Sequence, residues 1–345
     1  MKRRQFSKQL SIGTLATLAS TGMWGNTPGK KKKIKPKRLK KGDVIGLITP
    51  GSYIGDEALE KAVSNLESMG FQVKMGQHIR SERGFTAGTD TERLTDLHAM
   101  FADEEVAGIW CARGGYGCTR LLPMIDYKLI QKNPKALIGY SDITALLNAI
   151  YLKTGLVGFH GPVGASDFTE YNKTQLEALL LHPQANHIIK MAPDDPTQTD
   201  EAFKPEIVHP GIAQGTLVGG NLSLLAAMAG TSYAPDLKGK LLFIEDIGEK
   251  PYRLDRMLTQ MRQAHDLSQV AGIILGVFAD CQPDEDDRSL SLMETLHDRL
   301  DDLNVPTIYG FSFGHIKDQC TFPVGITAKL DTLQKTVTLL EAAVV

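Results

Sequence analysis

The chain has 345 residues, a length that fits two domains at about 100–200 residues each, and its 42% hydrophobic and 23% charged content excludes disorder, collagen and coiled coil as readings of the whole. The formal net charge of -2 hides an asymmetry: residues 1–41 hold 13 Lys/Arg and no acid, so the remainder carries 25 basic against 40 acidic residues. So acidic a body excludes nucleic acid as the main partner, because phosphate binding needs a basic surface.

The chain opens Met1-Lys2-Arg3-Arg4-Gln5-Phe6-Ser7-Lys8, followed by an apolar stretch over 10–19. A charged segment ahead of a short apolar one reads as an export signal. The paired arginines, with Phe two positions on, resemble the twin-arginine (Tat) signal that carries folded proteins across the bacterial inner membrane. The stretch is too short to span a bilayer, which takes about 20 apolar residues, and no later run reaches that length. The expected location is the periplasm, with the cytoplasm as second choice. The basic run 30–41 (KKKKIKPKRLKK) fits a weak contact with anionic lipid headgroups or acidic wall polymers, and equally a solvated linker. Residues 1–36 are read as signal and linker, outside the fold.

The body alternates strands and helices. The β-branched run 43–50 predicts a buried strand, 56–69 a helix closed by Gly70, and 71–75 a strand. A helix over 91–101, a strand over 106–112, a strand over 136–139 and an apolar helix over 143–152 follow. The polar, Pro-containing stretch 191–205 separates an N-terminal domain (37–190) from a C-terminal one (206–345). Beyond it come strands over 240–245 and 272–278, a helix over 252–262, a run at 306–313 ending in Gly314-His315, and a hairpin over 326–340. The pattern predicts an α/β fold of two domains, with a mostly parallel sheet. Cys111, Cys118, Cys281 and Cys320 form no C-x-x-C and no zinc spacing, and their apolar or Gly-rich contexts predict buried free thiols.

Four places could carry chemistry. In Gly139-Tyr140-Ser141-Asp142 a serine follows a strand and opens a helix, the context of a nucleophile elbow, although Ile143 stands where G-x-S-x-G has its second glycine. The alternative is a plain helix N-cap by Ser141 or Asp142. Arg113-Gly114-Gly115-Tyr116-Gly117 lacks the spacing of either phosphate-binding motif, and fits an oxyanion-hole donor or a tight turn. Glu245 ends a strand where α/β sheets place their sites, with Asp246 and Glu249 as competitors. His315 follows a strand-like run, with His160 as its rival. The order Ser141, Glu245, His315 is that of nucleophile, acid and base in α/β-hydrolase triads. A serine hydroxyl needs a neutral imidazole to take its proton, and the imidazole needs a carboxylate to fix its tautomer.

Together these segments resemble the LD-carboxypeptidases (murein tetrapeptide carboxypeptidases), a family that includes the microcin C self-immunity peptidases. The resemblance spans about 42–326. It rests on Thr49-Pro50, Phe85-Thr86-Ala87-Gly88-Thr89-Asp90, the Arg113 to Gly117 glycine loop, Arg120-Leu121-Leu122 and Gly139-Tyr140-Ser141-Asp142. It continues through His160-Gly161-Pro162, Gly219-Gly220-Asn221-Leu222, Glu245-Asp246, Pro251-Tyr252-Arg253-Leu254-Asp255-Arg256 and Gly314-His315. It implies a serine peptidase with Ser141 as nucleophile, His315 as base and Glu245 as orienting acid, the last preferred over Glu249 because it ends its strand. The oxyanion hole would be the backbone N–H groups of Gly115 and Asp142. The substrate implied is a peptidoglycan stem tetrapeptide cut between meso-diaminopimelate and D-alanine, with no metal or cofactor. Arg113 is a candidate partner for the terminal carboxylate, and homodimers are usual among similar proteins. Two other readings stand beside it: self-immunity by cleavage of a peptidyl or aminoacyl nucleotide antibiotic, which export disfavours, and an exported binding protein of two α/β lobes.

Overall fold

The computed structural model describes residues 32–193, 197–284, 286 and 288–345; the twin-arginine-like segment lies outside them. Among the described residues fourteen strands run in chain order: β1 Val44–Ile48, β2 Gln72–Met75, β3 Val106–Cys111, β4 Ala136–Gly139, β5 Gly158–His160, β6 His187–Lys190 and β7 Glu206–His209. Then come β8 Ile212–Asn221, β9 Lys240–Ile247, β10 Gly272–Ala279, β11 Thr307–Gly314, β12 Phe322–Val324, β13 Thr327–Asp331 and β14 Thr336–Leu339. They form two sheets, ordered β12-β5-β4-β3-β1-β2 and β6-β14-β13-β8-β9-β10-β11-β7.

The first sheet is parallel from β2 to β5, with β12 added antiparallel. Apart from the exposed edge strand β2, its strands are short, largely apolar runs buried on both faces, as parallel strands are. Chain order reverses between β1 and β3, which makes the carboxyl ends of these strands the place for a site. The helix Asp90–Ala102 carries a full capping box from Thr89 and Glu92, and it lies close on β1 because Gly46 has no side chain. A Cβ there would meet Met100 Sδ at 2.6 Å. In the second sheet β8, β9, β10 and β11 are parallel, flanked by antiparallel β13, β14, β6 and β7.

Three features depart from the sequence reading. The sheets exchange strands across the expected division: β6 lies in the second sheet and β12 in the first. Residues 32–36, grouped on sequence with the leader, run along the body. Ile34 exchanges backbone hydrogen bonds with Gly155 and Val157, Lys33 and Lys35 pair with Glu341, and Val345 bonds to Pro36 and Arg38. These lysines are therefore matched to an acid near the other terminus rather than left in solvent. The helix expected from 143 is entered through a short 3-10 turn, Ser141–Ile143, before Thr144–Thr154. All four cysteines are buried and free, and the C-terminal hairpin is present as β13 and β14.

The two sheets are joined next to the elbow. Thr144 Oγ1 accepts the Asn221 N–H at 2.9 Å, and Asn148 Nδ2 donates to the Gly219 carbonyl at 2.8 Å. Gly220, at φ +134, would put a Cβ 2.4 Å from Thr144 Oγ1, so this contact needs glycine. Packing that close couples the helix behind Ser141 to the strand beside Glu245.

Candidate active site

Ser141 stands at the turn between β4 and the following helix with φ +63, the left-handed region. For a non-glycine residue that conformation costs on the order of 1–3 kcal/mol, and it turns the hydroxyl out from the sheet end. The glycine loop after β3 lies directly against it. A Cβ on Gly114 would stand 2.9 Å from Ser141 Cβ and 3.2 Å from its Oγ. Gly115, at φ +100, would drive a Cβ to 2.3 Å from Ser52 Oγ. The Ser52 N–H donates to the Gly114 carbonyl at 3.1 Å, and its hydroxyl accepts the Tyr116 N–H at 3.0 Å, so the loop after β1 fixes the loop after β3. Asp142 turns its buried carboxylate back to the Cys118 N–H at 2.9 Å. Burial raises its pKa, against the pull of the Cys118 and Gly117 N–H groups and Arg93. The Asp142 amide lies in the first turn, where helices have no internal acceptor for their N–H groups.

The second sheet brings the other two groups. Glu245 is fully buried near the end of β9, and His315 follows Gly314 at the end of β11. Gly314 has φ +113, and a Cβ there would meet Glu245 Cβ at 3.1 Å, so the strand can pass only as glycine. His315 Nδ1 lies 2.8 Å from Glu245 Oε2, and its Nε2 lies 3.0 Å from Ser141 Oγ. A carboxylate only accepts, so Nδ1 carries the hydrogen and Nε2 of the neutral ring is the acceptor for the serine hydroxyl. Burial works to lower the His315 pKa, but the Glu245 hydrogen bond and the charges of Glu245 and Asp246 outweigh it and the net shift is upward. The Tyr140 ring, 4.9 Å from that of His315 between centroids, backs the imidazole.

The competitors are placed elsewhere. Asp246 accepts from Asn221 Nδ2, from the Ser223 N–H and hydroxyl, and from the Ile247 N–H, at 2.8–2.9 Å. Burial and the neighbouring Glu245 push its pKa up to about 6 against these bonds. Glu249 faces Arg253 at 3.5 Å. His160 is buried behind the site against Phe243. Arg113 is exposed one residue before Gly114 and donates to the Tyr53 carbonyl at 2.9 Å. A cleft of about 310 Å³ is lined by Ile316, Lys317, Asp318 and Ser312, with Met191 and Lys204; none of Ser141, Glu245 and His315 lines it. Among the described residues no group of three His, Cys, Asp or Glu is placed to hold a metal ion. Sequence reasoning gave no role to Tyr140 and did not connect Asp246, weighed there only as a rival acid, with Asn221 and Ser223. Only the spacing of Tyr140 between Gly139 and Ser141 could have drawn attention to it.

Known proteins resemble the chain over most of its length. Residues 45–161 match the LD-carboxypeptidase N-terminal domain and residues 214–330 its C-terminal domain. A Bacillus subtilis protein named "probable murein peptide carboxypeptidase" is 42% identical over 315 residues, covering 90% of this chain and 95% of its own length. The murein tetrapeptide carboxypeptidase of Pseudomonas aeruginosa is 35% identical over 295 residues, covering 83% and 92%. The crystal structure of an MccF-like protein from Bacillus anthracis superposes with a TM-score of 0.77 at 32% identity, covering 89% of this chain and 99% of that one.

Proposed function

This chain belongs to the LD-carboxypeptidase family and is a serine-type carboxypeptidase, and on that premise we propose that it releases the terminal D-alanine of peptidoglycan stem tetrapeptides through Ser141, His315 and Glu245. The observation that carries this reading is the unbroken hydrogen-bonded chain from Ser141 Oγ through the imidazole to Glu245. Ser141 Oγ attacks the carbonyl carbon of meso-diaminopimelate while His315 Nε2 takes the hydroxyl proton. The tetrahedral oxyanion is held by the N–H groups of Asp142 and Gly115. Collapse breaks the C–N bond, and His315 returns its proton to the departing D-alanine nitrogen. Water, deprotonated by the same imidazole, then attacks the ester, freeing the tripeptide carboxylate and restoring Ser141. Glu245 holds the ring in the reactive tautomer and stabilises its cation. Export through the twin-arginine-like segment would place this work in the periplasm, on cell-wall stems or their fragments. A reporter fused to residues 1–36 that stays in the cytoplasm would refute that placement.

The test of substrate class pairs L-Ala-D-Glu-meso-diaminopimelate-D-Ala with its analogue ending in L-Ala, and follows alanine release by mass spectrometry. D-alanine release with the L-terminated analogue untouched is expected. Release from neither, with cleavage of an aminoacyl nucleotide instead, would replace the stem peptide by the self-immunity substrate.

A further inference from the structure

A second histidine lies behind the triad, and nothing in the reaction above uses it. His160 closes β5, pairs with Gly139 at the end of the strand that carries the elbow, and is 1% exposed. Its ring is walled by Phe243 at 5.3 Å, and by Tyr140 and Phe313, each at 6.1 Å between centroids. Phe243 and Glu245 are two residues apart on β9, so both side chains point to the same face of that strand. The ring that touches His160 is thus next to the triad carboxylate.

The polar atoms here are under-partnered. Both ring nitrogens of His160, the Oε1 of Glu245 and the Oγ1 of Thr321 are buried with no hydrogen-bond partner. Thr321 precedes Phe322, which pairs with His160 across β12 and β5. Buried carboxylate oxygens and imidazole nitrogens left unpaired are costly, and such groups are ordinarily joined directly or through an enclosed water. Glu245 uses only Oε2 on His315, so a donor for Oε1 decides which way the carboxylate faces.

We propose that His160 is a positioning residue of the triad: a buried neutral imidazole that supplies an N–H, through one enclosed water, to the free Oε1 of Glu245 and so holds Oε2 on His315. Burial suits it to this task. It pushes the His160 pKa down to about 4 despite the pull of Glu245, with the His315 charge lowering it further, so the ring stays uncharged and does not compete with His315 for the carboxylate. The titratable groups facing His315 are Glu245 and Asp246 from β9, His160 from β5, and Tyr140 from the turn after β4. Of these, only His160 has an unassigned donor.

This inference rests on the triad reading but not on the substrate. It is tested by the rate at which a fluorophosphonate labels Ser141 as a function of pH, alongside D-alanine release from the tetrapeptide. His160→Phe and His160→Met fill the aromatic site without an N–H, and His160→Gln keeps one; thermal melts establish that each folds. The donor-less variants are expected to label about tenfold or more slowly. Their acid limb should also move about half a unit or more to lower pH, because His315 loses part of the bond that raises its pKa. His160→Gln should recover most of both. A folded donor-less variant with an unmoved acid limb overturns the proposal, whatever its rate, and so does a His160→Gln variant as impaired as His160→Phe. Wild-type labelling without D-alanine release would count against the stem-peptide substrate alone. A wild type that fails to label at Ser141 overturns both.

Discussion

Replacing Gly114 by Ala tests the contact on which the elbow depends. The φ of Gly114 lies outside the left-handed region, so alanine fits the backbone and the effect is purely steric. The new methyl would stand 2.9 Å from Ser141 Cβ and 3.2 Å from both Ser141 Oγ and the Tyr140 carbonyl oxygen. Carbon atoms settle at about 3.5–4.0 Å, so the loop or the serine must move by roughly 0.6–1.1 Å. Misplacement of a reacting group by 1 Å costs on the order of 100-fold in rate. Overpacking of this kind costs about 1–3 kcal/mol, a few degrees of melting temperature in a protein of this size. The expected result is a kcat for D-alanine release about 100-fold down, with fluorophosphonate labelling slowed in parallel and the fold retained. Gly55→Ala is the control: its backbone is extended and nothing lies within 4 Å of the added methyl, so kcat should stay at the wild-type value. A folded Gly114→Ala variant with wild-type kcat and labelling rate would refute the argument that this loop sets the serine's position.

Three further outcomes follow from the same geometry. Ser141→Gly and Ser141→Ala both abolish turnover, but the glycine variant should be more stable by about 1–2 kcal/mol in chemical denaturation, because only it relieves the φ of +63. Equal stability of the two would contradict the strain. Glu245→Gln, which keeps the shape but removes the charge, should lower kcat by about 10³–10⁴-fold; a loss below tenfold would detach Glu245 from the base. Because Glu245 and Asp246 raise the His315 pKa above its ordinary 6.5, kcat/KM should fall on the acid side with an apparent pKa above that value, as the base becomes protonated. The linked stability runs the other way: the protonated His315 contributes fully below pH 6.5, and that contribution fades as pH rises through the folded-state pKa. An acid limb below 6.5 would contradict the geometry.

Much of the site was legible because each of its parts is local. Gly139-Tyr140-Ser141-Asp142 announces itself by a strand before and a helix after. Gly314-His315 comes at the end of a strand-like run, and Glu245 could be preferred to Glu249 because the apolar run 241–244 leads into it, although β9 continues to Ile247. The alternation of apolar runs and helical spacing likewise carried the α/β class. What the sequence withheld depends on contacts far along the chain. Lys33 and Lys35 looked like solvated charge because their partner, Glu341, lies some three hundred residues away. The strand Phe322–Val324 is too short, and has a proline at its centre, to be read as the edge of a sheet built mostly by the first half of the chain. His160 could be weighed only as a rival base, since its place behind Glu245 arises where β5 and β9 meet. The identity of the triad acid was a preference on sequence; the 2.8 Å approach to His315 Nδ1 gives it a geometric ground.

If Ser141 cuts the diaminopimelate–D-alanine bond, D-alanine release from the tetrapeptide by the wild type and Ser141→Ala side by side, each verified as folded, will separate the two. Turnover by the wild type and none above background in the variant is expected, together with a fluorophosphonate adduct that maps to the peptide containing Ser141. Release that persists in Ser141→Ala, or a folded wild type that releases no D-alanine, would contradict it.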